Sequence, residues 1–124
     1  MKNLIKKILK EETNNKFIDK IVNYVKPPYF INMEGLGLSE DEYEMVLSKI
    51  FDQKVRVIDG VLYDVNDKVI YEEDGDYWIK SEYNKQGKKI YEEHSNGFWI
   101  RVEYDDQGNK IYWEDSYGYI EDNR

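Results

Sequence analysis

Glu72-Glu73 and Glu92-Glu93 are the residue pairs best suited by type to acid–base work, since paired carboxyl groups can share the roles of proton donor and acceptor. Their spacing argues against it. Neighbours along a strand point to opposite faces, so neither pair forms a dyad by itself. The equivalent acids Glu72 and Glu92 fall two strands apart, roughly 10 Å. Solvated sheet charge is the ordinary fate of such residues. His94 is the only histidine and has no serine or cysteine motif to serve, so a surface or edge place beside Trp99 is expected. "DVNDKVIYEED" (64–74) begins like a calcium loop but lacks the glycine that follows the third ligand. Gly35 and Gly37 in "EGLGL" lack the strand, helix and third glycine of a phosphate cradle. With no cysteine there is no disulfide framework, thiolate zinc site or cysteine nucleophile. No catalytic residue, metal or cofactor is expected, and the chain is not expected to be an enzyme.

Recognition chemistry has more support. Trp78, Tyr91, Trp99, Tyr112 and Trp113 are residue types that anchor protein interfaces, and they alternate with the acids Glu72, Glu92, Glu103 and Glu114. Contiguous exposed aromatics mark a partner's place. The alternative is that helices cover them and the rings are simply core. Charge favours a basic partner. Residues 63–124 hold 16 acidic and 8 basic side chains, a balance of −8 that equals the net charge of the whole chain. Residues 1–26 hold seven lysines against Glu11, Glu12 and Asp19, more often a helix's solvated face than a docking site. Phosphate neutralisation needs a basic main surface, so direct nucleic-acid binding is disfavoured.

The elements that carry these residues are repeats. Tyr63, Tyr83 and Tyr104 open three similar units at spacings of 20 and 21 residues. Each unit has two strand-like runs, an outer turn ("DVND", "NKQG", "DDQG") and an inner one ("EDGD", "HSNG", "DSYG"). Gly87 and Gly108 suit a type I turn closed by a left-handed residue. Asp59-Gly60 marks a further hairpin between "VRVI" and "VLYD". Such short connections give an antiparallel meander. Alternation puts Phe98, Ile100, Val102 and Tyr104 on one face and Trp99, Arg101 and Glu103 on the other. With Asn96-Gly97 as a two-residue turn, Glu92 lies opposite Arg101 and His94 opposite Trp99. The apolar face, including Tyr77, Ile79 and Tyr83, is expected to meet the N-terminal helices. A one-residue slip would exchange the faces.

Before Lys54 the period is helical. Leu4, Ile5, Ile8 and Leu9 form one amphipathic stretch, and Phe17, Ile18, Ile21, Val22 and Val25 a second that Pro27-Pro28 stops. "YFINMEGLGL" reads as an irregular connection. Ser39 and Glu42 form a capping box opening a helix with Tyr43, Val46, Leu47, Ile50 and Phe51 along one stripe. The chain divides into a helical region, 1–53, and a hairpin-repeat sheet, 54–124, together one compact domain. The N-terminal lysines interrupt any secretory signal, and no apolar run nears the roughly 20 residues that span a bilayer. A cytoplasmic protein without membrane association is expected.

"VEYDDQGNKI" (102–111) resembles the tyrosine–aspartate (YD) repeat of Rhs-type proteins, on Tyr104, Asp105, Gly108, Asn109 and Ile111. The second copy keeps Tyr83, Gly87 and Ile90; the first keeps Tyr63, Asp64 and Ile70, with Asp67 in the glycine's place. A looser likeness is to membrane-occupation-and-recognition-nexus (MORN) repeats. Both imply β-hairpins serving as scaffold and recognition surface, and neither implies a catalytic residue.

The expected fold is α+β: two or three N-terminal helices with an antiparallel meander of seven or eight strands built from three hairpin repeats. The expected function is non-enzymatic, an acidic, aromatic-rich sheet occluding a basic, nucleic-acid-binding surface of a partner protein. In size and charge the chain is similar to antitoxins, immunity proteins and phage inhibitors such as anti-CRISPR proteins. The competing expectation is an assembly module that pairs through its sheet edge.

Overall fold

A computed structural model describes residues 16–124. The amphipathic stretch expected around Leu4–Leu9 lies outside those residues. Helix α1 occupies residues 16–24 and ends ahead of Pro27-Pro28, whose rings deny a helix its next N–H donors. Helix α2, Tyr29–Met33, forms where an irregular connection was expected. Helix α3, Glu40–Phe51, starts at the expected box: the Glu42 N–H donates to the Ser39 hydroxyl at 3.2 Å, and the Ser39 N–H to the Glu42 carboxylate at 3.0 Å. Three acids in its first turn and Lys49 in its last match the helix dipole.

Eight strands follow in one antiparallel sheet whose spatial order is the sequence order. They are β1 Arg56–Ile58, β2 Val61–Tyr63, β3 Val69–Asp74, β4 Tyr77–Tyr83, β5 Lys89–His94, β6 Trp99–Tyr104, β7 Lys110–Asp115 and β8 Ile120–Asp122. The fold is α+β, helices then an open meander. Asp59 and Gly60, both at positive φ, join β1 to β2 as the Asp-Gly signal requires.

The outer turns are copies of one another. The side-chain oxygen of Asp64, Asn84 or Asp105 accepts the N–H groups two and four residues on, at 2.8–3.0 Å. Asp67, Gly87 and Gly108 close these turns at φ values of 61°, 78° and 84°. Each turn is followed by a bulge that leaves Ile70, Ile90 or Ile111 without a cross-strand partner. Asp64, at the head of the calcium-like stretch, is thus committed to its own turn.

The inner turns correct the expected register. Between β5 and β6 the His94 N–H donates to the Phe98 carbonyl at 2.8 Å and the Gly97 N–H to the His94 carbonyl at 3.0 Å. Three residues, Ser95, Asn96 and Gly97, make the turn instead of two. Glu93 therefore stands opposite Trp99, Glu92 opposite Ile100 and Tyr91 opposite Arg101.

A second correction follows. The described helices do not meet the Ile79–Ile100–Val102 face. Their ring contacts fall on the face that carries Trp78 and Trp99, where Tyr71 packs against Tyr29, Phe30 and Phe51 at centroid distances of 5.2–6.2 Å. The bulge sets Ile70 beside Tyr71, and with Leu62 they join Ile18, Ile21, Met33, Val46 and Leu47 in the core. The three described helices are short and pack on the strands nearest them, β1 to β4.

Candidate functional site

Cross-strand partners share a face, which sorts the side chains. The helix-bearing face carries Leu62, Tyr71, Lys80, Glu93 and Trp99 in one row across the sheet. A second row holds Glu82, Tyr91, Arg101, Glu114 and Ile120, and a third Glu103, Tyr112 and Asp122. Of the nine residues expected to bind a partner, Trp78, Tyr91, Trp99, Glu103, Tyr112 and Glu114 lie on this face. Glu72, Glu92 and Trp113 lie on the other, opposite Ile79, Ile100 and Val102 respectively. The sheet does not bring all nine together.

On the far face Glu92 is committed internally. Its carboxylate takes His94 Nε2 at 2.7 Å and Lys89 Nζ at 2.9 Å. Burial alone would raise the Glu92 carboxyl, but these two partners outweigh it and hold it below the ordinary range. His94 Nδ1 meets the Tyr77 hydroxyl, and its ring packs on Phe98 at 5.4 Å. It stands across the sheet from Trp99, not beside it. The Trp113 indole N–H reaches the Asp115 carboxylate at 3.5 Å, with Lys110 Nζ 5.4 Å from its ring.

The helix-bearing face presents one motif three times. Tyr71-x-Glu73, Tyr91-x-Glu93 and Tyr112-x-Glu114 recur at the repeat spacing on β3, β5 and β7. In the first copy the Tyr71 hydroxyl donates to Glu73 and accepts the Tyr29 N–H at 3.2 Å. Glu73 accepts the Phe30 and Ile31 N–H groups at 3.2 and 3.1 Å. The motif holds the start of α2, whose first N–H groups have no helical partner. Burial, then the bond to Glu73, pushes the Tyr71 hydroxyl far above its ordinary value.

The third copy holds arginine. Tyr112 donates to Glu114 at 2.9 Å, Arg101 donates to the same carboxylate at 2.8 Å, and the Arg124 guanidinium lies 4.0 Å from the Tyr112 ring centre. Arg101 sits 5.5 Å from that ring. These two cations leave Tyr112 only 5 % exposed, so it is a covered residue and not an open anchor.

No family model, curated protein or solved structure matches the chain. The site therefore rests on its own geometry.

The second copy is open. Among the described residues neither the Tyr91 nor the Glu93 side chain makes a hydrogen bond or ion pair, and Trp99 stands opposite Glu93, half-exposed. Burial, then the Glu93 and Glu82 carboxylates, raises the Tyr91 hydroxyl above its ordinary value, so it stays protonated. Beside it runs an open groove of about 470 Å³ lined by Glu82, Ile90, Tyr91, Arg101, Glu103 and Ile111, among others. Trp78, the first copy's tryptophan, is half-buried like Trp99 but has its ring packed against Tyr71 and under Lys80 Nζ at 5.1 Å. Glu82, Glu93, Arg101 and Arg124 were not among the expected binding residues. The threefold Tyr-x-Glu spacing is the sequence signal that points to Glu93.

Proposed function

We propose that the chain is a non-enzymatic binding protein whose open sheet face occludes a basic, nucleic-acid-binding surface of a partner protein, in the manner of antitoxins, immunity proteins or anti-CRISPR inhibitors. One observation carries the reading: among the described residues the helix contacts end at β4, and beyond them Glu82, Glu93 and Glu103 surround Tyr91 and Trp99 on a face that no described helix covers. Unlike charge speeds encounter and aromatic rings supply anchoring. Net charge of −8 suits such a partner and opposes direct contact with phosphate. The outermost strands, β1 and β8, have three residues each, and β8 carries Glu121 and Asp122. Short, charged edges resist pairing with another sheet, which favours occlusion over edge assembly. On this reading the YD-like hairpins are scaffold.

A photo-crosslinking residue placed at Trp99, and separately at Trp113, tests the face in the cell of origin. A protein adduct from position 99 and none from position 113 supports the proposal. Adducts from position 113 alone would place the interface on the other face and overturn it.

A further inference from the structure

The three Tyr-x-Glu copies say what the open one is built to hold. The first receives backbone N–H donors and the third receives guanidinium groups, so both occupants are planar, donor-bearing and carry positive charge or its dipolar equivalent. The second keeps the same tyrosine and carboxylate in the same strand positions with no occupant among the described residues. It borders the helix cap directly, since Glu93 follows Lys80 along the cross-strand row and Lys80 Nζ lies 5.6 Å from the Tyr29 ring centre.

The neighbouring charges separate the two kinds of occupant. Arg101 is paired to Glu114 and Arg124 to Glu103 and Asp122, while among the described residues Glu82 and Glu93 have no cationic partner within ion-pair distance. Two unpaired carboxylates flank Tyr91, with the Trp99 indole opposite one of them. A guanidinium can lie on an aromatic ring while donating in its plane to a carboxylate, as Arg101 does between Tyr112 and Glu114. A lysine ammonium lacks the planar fork that makes both contacts at once.

We propose that Tyr91, Glu93 and Trp99 form a pocket for one arginine side chain of the partner protein, with Glu82 as the second carboxylate. This rests on the occlusion reading above and names its anchoring contact. The partner's arginine takes the place on the tyrosine ring that Arg124 fills one repeat later; the position equivalent to Arg101 holds Lys80, opposite Glu93, whose Nζ is turned instead to the Tyr29 and Trp78 rings at 5.6 and 5.1 Å.

The test uses the full chain, labelled for NMR, with blocked hexa-arginine and hexa-lysine peptides as probes. Hexa-arginine is expected to shift the Trp99 indole and Glu93 side-chain resonances and to bind about tenfold more tightly than hexa-lysine, because charged, bidentate contacts discriminate where point charge does not. Glu93→Gln, at a side chain that makes no hydrogen bond or ion pair among the described residues, is expected to remove that preference while leaving the remaining spectrum in place. Tyr91→Phe, which keeps the ring, is expected to retain most of it. Equal affinity for the two peptides, with shifts spread over Glu82, Glu103 and Asp122, would sink the arginine pocket and leave the acidic face standing. Binding of neither peptide, or shifts confined to Glu72 and Trp113, would sink both.

Discussion

Ser95 is docked on the backbone of Trp78: its hydroxyl accepts the Trp78 N–H at 3.1 Å and its own N–H donates to the Trp78 carbonyl at 2.9 Å. Ser116 repeats both bonds on Trp99 at the same distances. Each inner turn is thereby fastened to the preceding hairpin. Ser95→Ala keeps the backbone bond and loses the hydroxyl acceptor, and is expected to cost about 1 kcal/mol. Urea unfolding read by far-ultraviolet circular dichroism gives the value. An unchanged midpoint would show that the turns are not held this way.

Gly108 and Gly118 separate strain from space. Both have strongly positive φ, 84° and 88°. A Cβ on Gly108 would lie 3.0 Å from Lys88 Cε, which rests there with its Nζ 5.5 Å from the Tyr104 ring centre, whereas a Cβ on Gly118 meets nothing within 4 Å. Gly108→Ala is expected to cost about 1–2 kcal/mol and Gly118→Ala less, by the same unfolding measurement.

Alkaline stability depends on the buried tyrosines. Burial raises the hydroxyls of Tyr29 and Tyr71 above the ordinary value of 10.0, with Glu93 adding to the first and Glu73 to the second. A raised value means the unfolded chain loses its protons first. Their contribution is complete below pH 10.0 and falls as pH rises beyond it. Unfolding free energy measured between about pH 8 and 11 should decline, and Tyr71→Phe should flatten that decline. At neutral pH the same variant is expected to cost about 1–3 kcal/mol, because the Tyr29 N–H loses a buried acceptor.

The acid limb has a different owner. Burial opposes the charge on Glu92, yet His94 and Lys89 hold its carboxyl below the ordinary 4.5. A depressed value contributes stability above 4.5 that disappears as pH falls through the folded-state value. Glu92→Gln is expected to be less stable than the parent at pH 7 and equal to it at about pH 2. A constant difference across that range would remove the titration from the explanation.

The residues that made the fold legible are those whose chemistry is local. Asp59-Gly60, Ser39 with Glu42, and the spaced Tyr63, Tyr83 and Tyr104 act through their nearest neighbours, and each does what its type requires. The faces were harder, because they depend on a single residue. "HSNG" accommodates a two-residue or a three-residue turn, and the three-residue turn with Gly97 at φ 93° puts Glu93, not His94, opposite Trp99. The site inherits that one-residue shift: Glu72, Glu92 and Trp113 go to the far face, and Glu93 enters. Tyr112 illustrates a second limit. Its cover comes from Arg101 and from Arg124, twelve residues downstream, a contact that no periodicity encodes.

The affinity of the chain for its crosslinked partner, measured against salt with the parent and with Glu82→Lys/Glu103→Lys, tests the occlusion account most directly. Both glutamates are exposed, and Arg124 keeps its second partner, Asp122, when Glu103 is reversed, so the fold tolerates the change. The account predicts that affinity falls at least tenfold between about 50 and 500 mM salt and by a similar factor on reversal. Equal affinity for parent and variant at every salt concentration would contradict it.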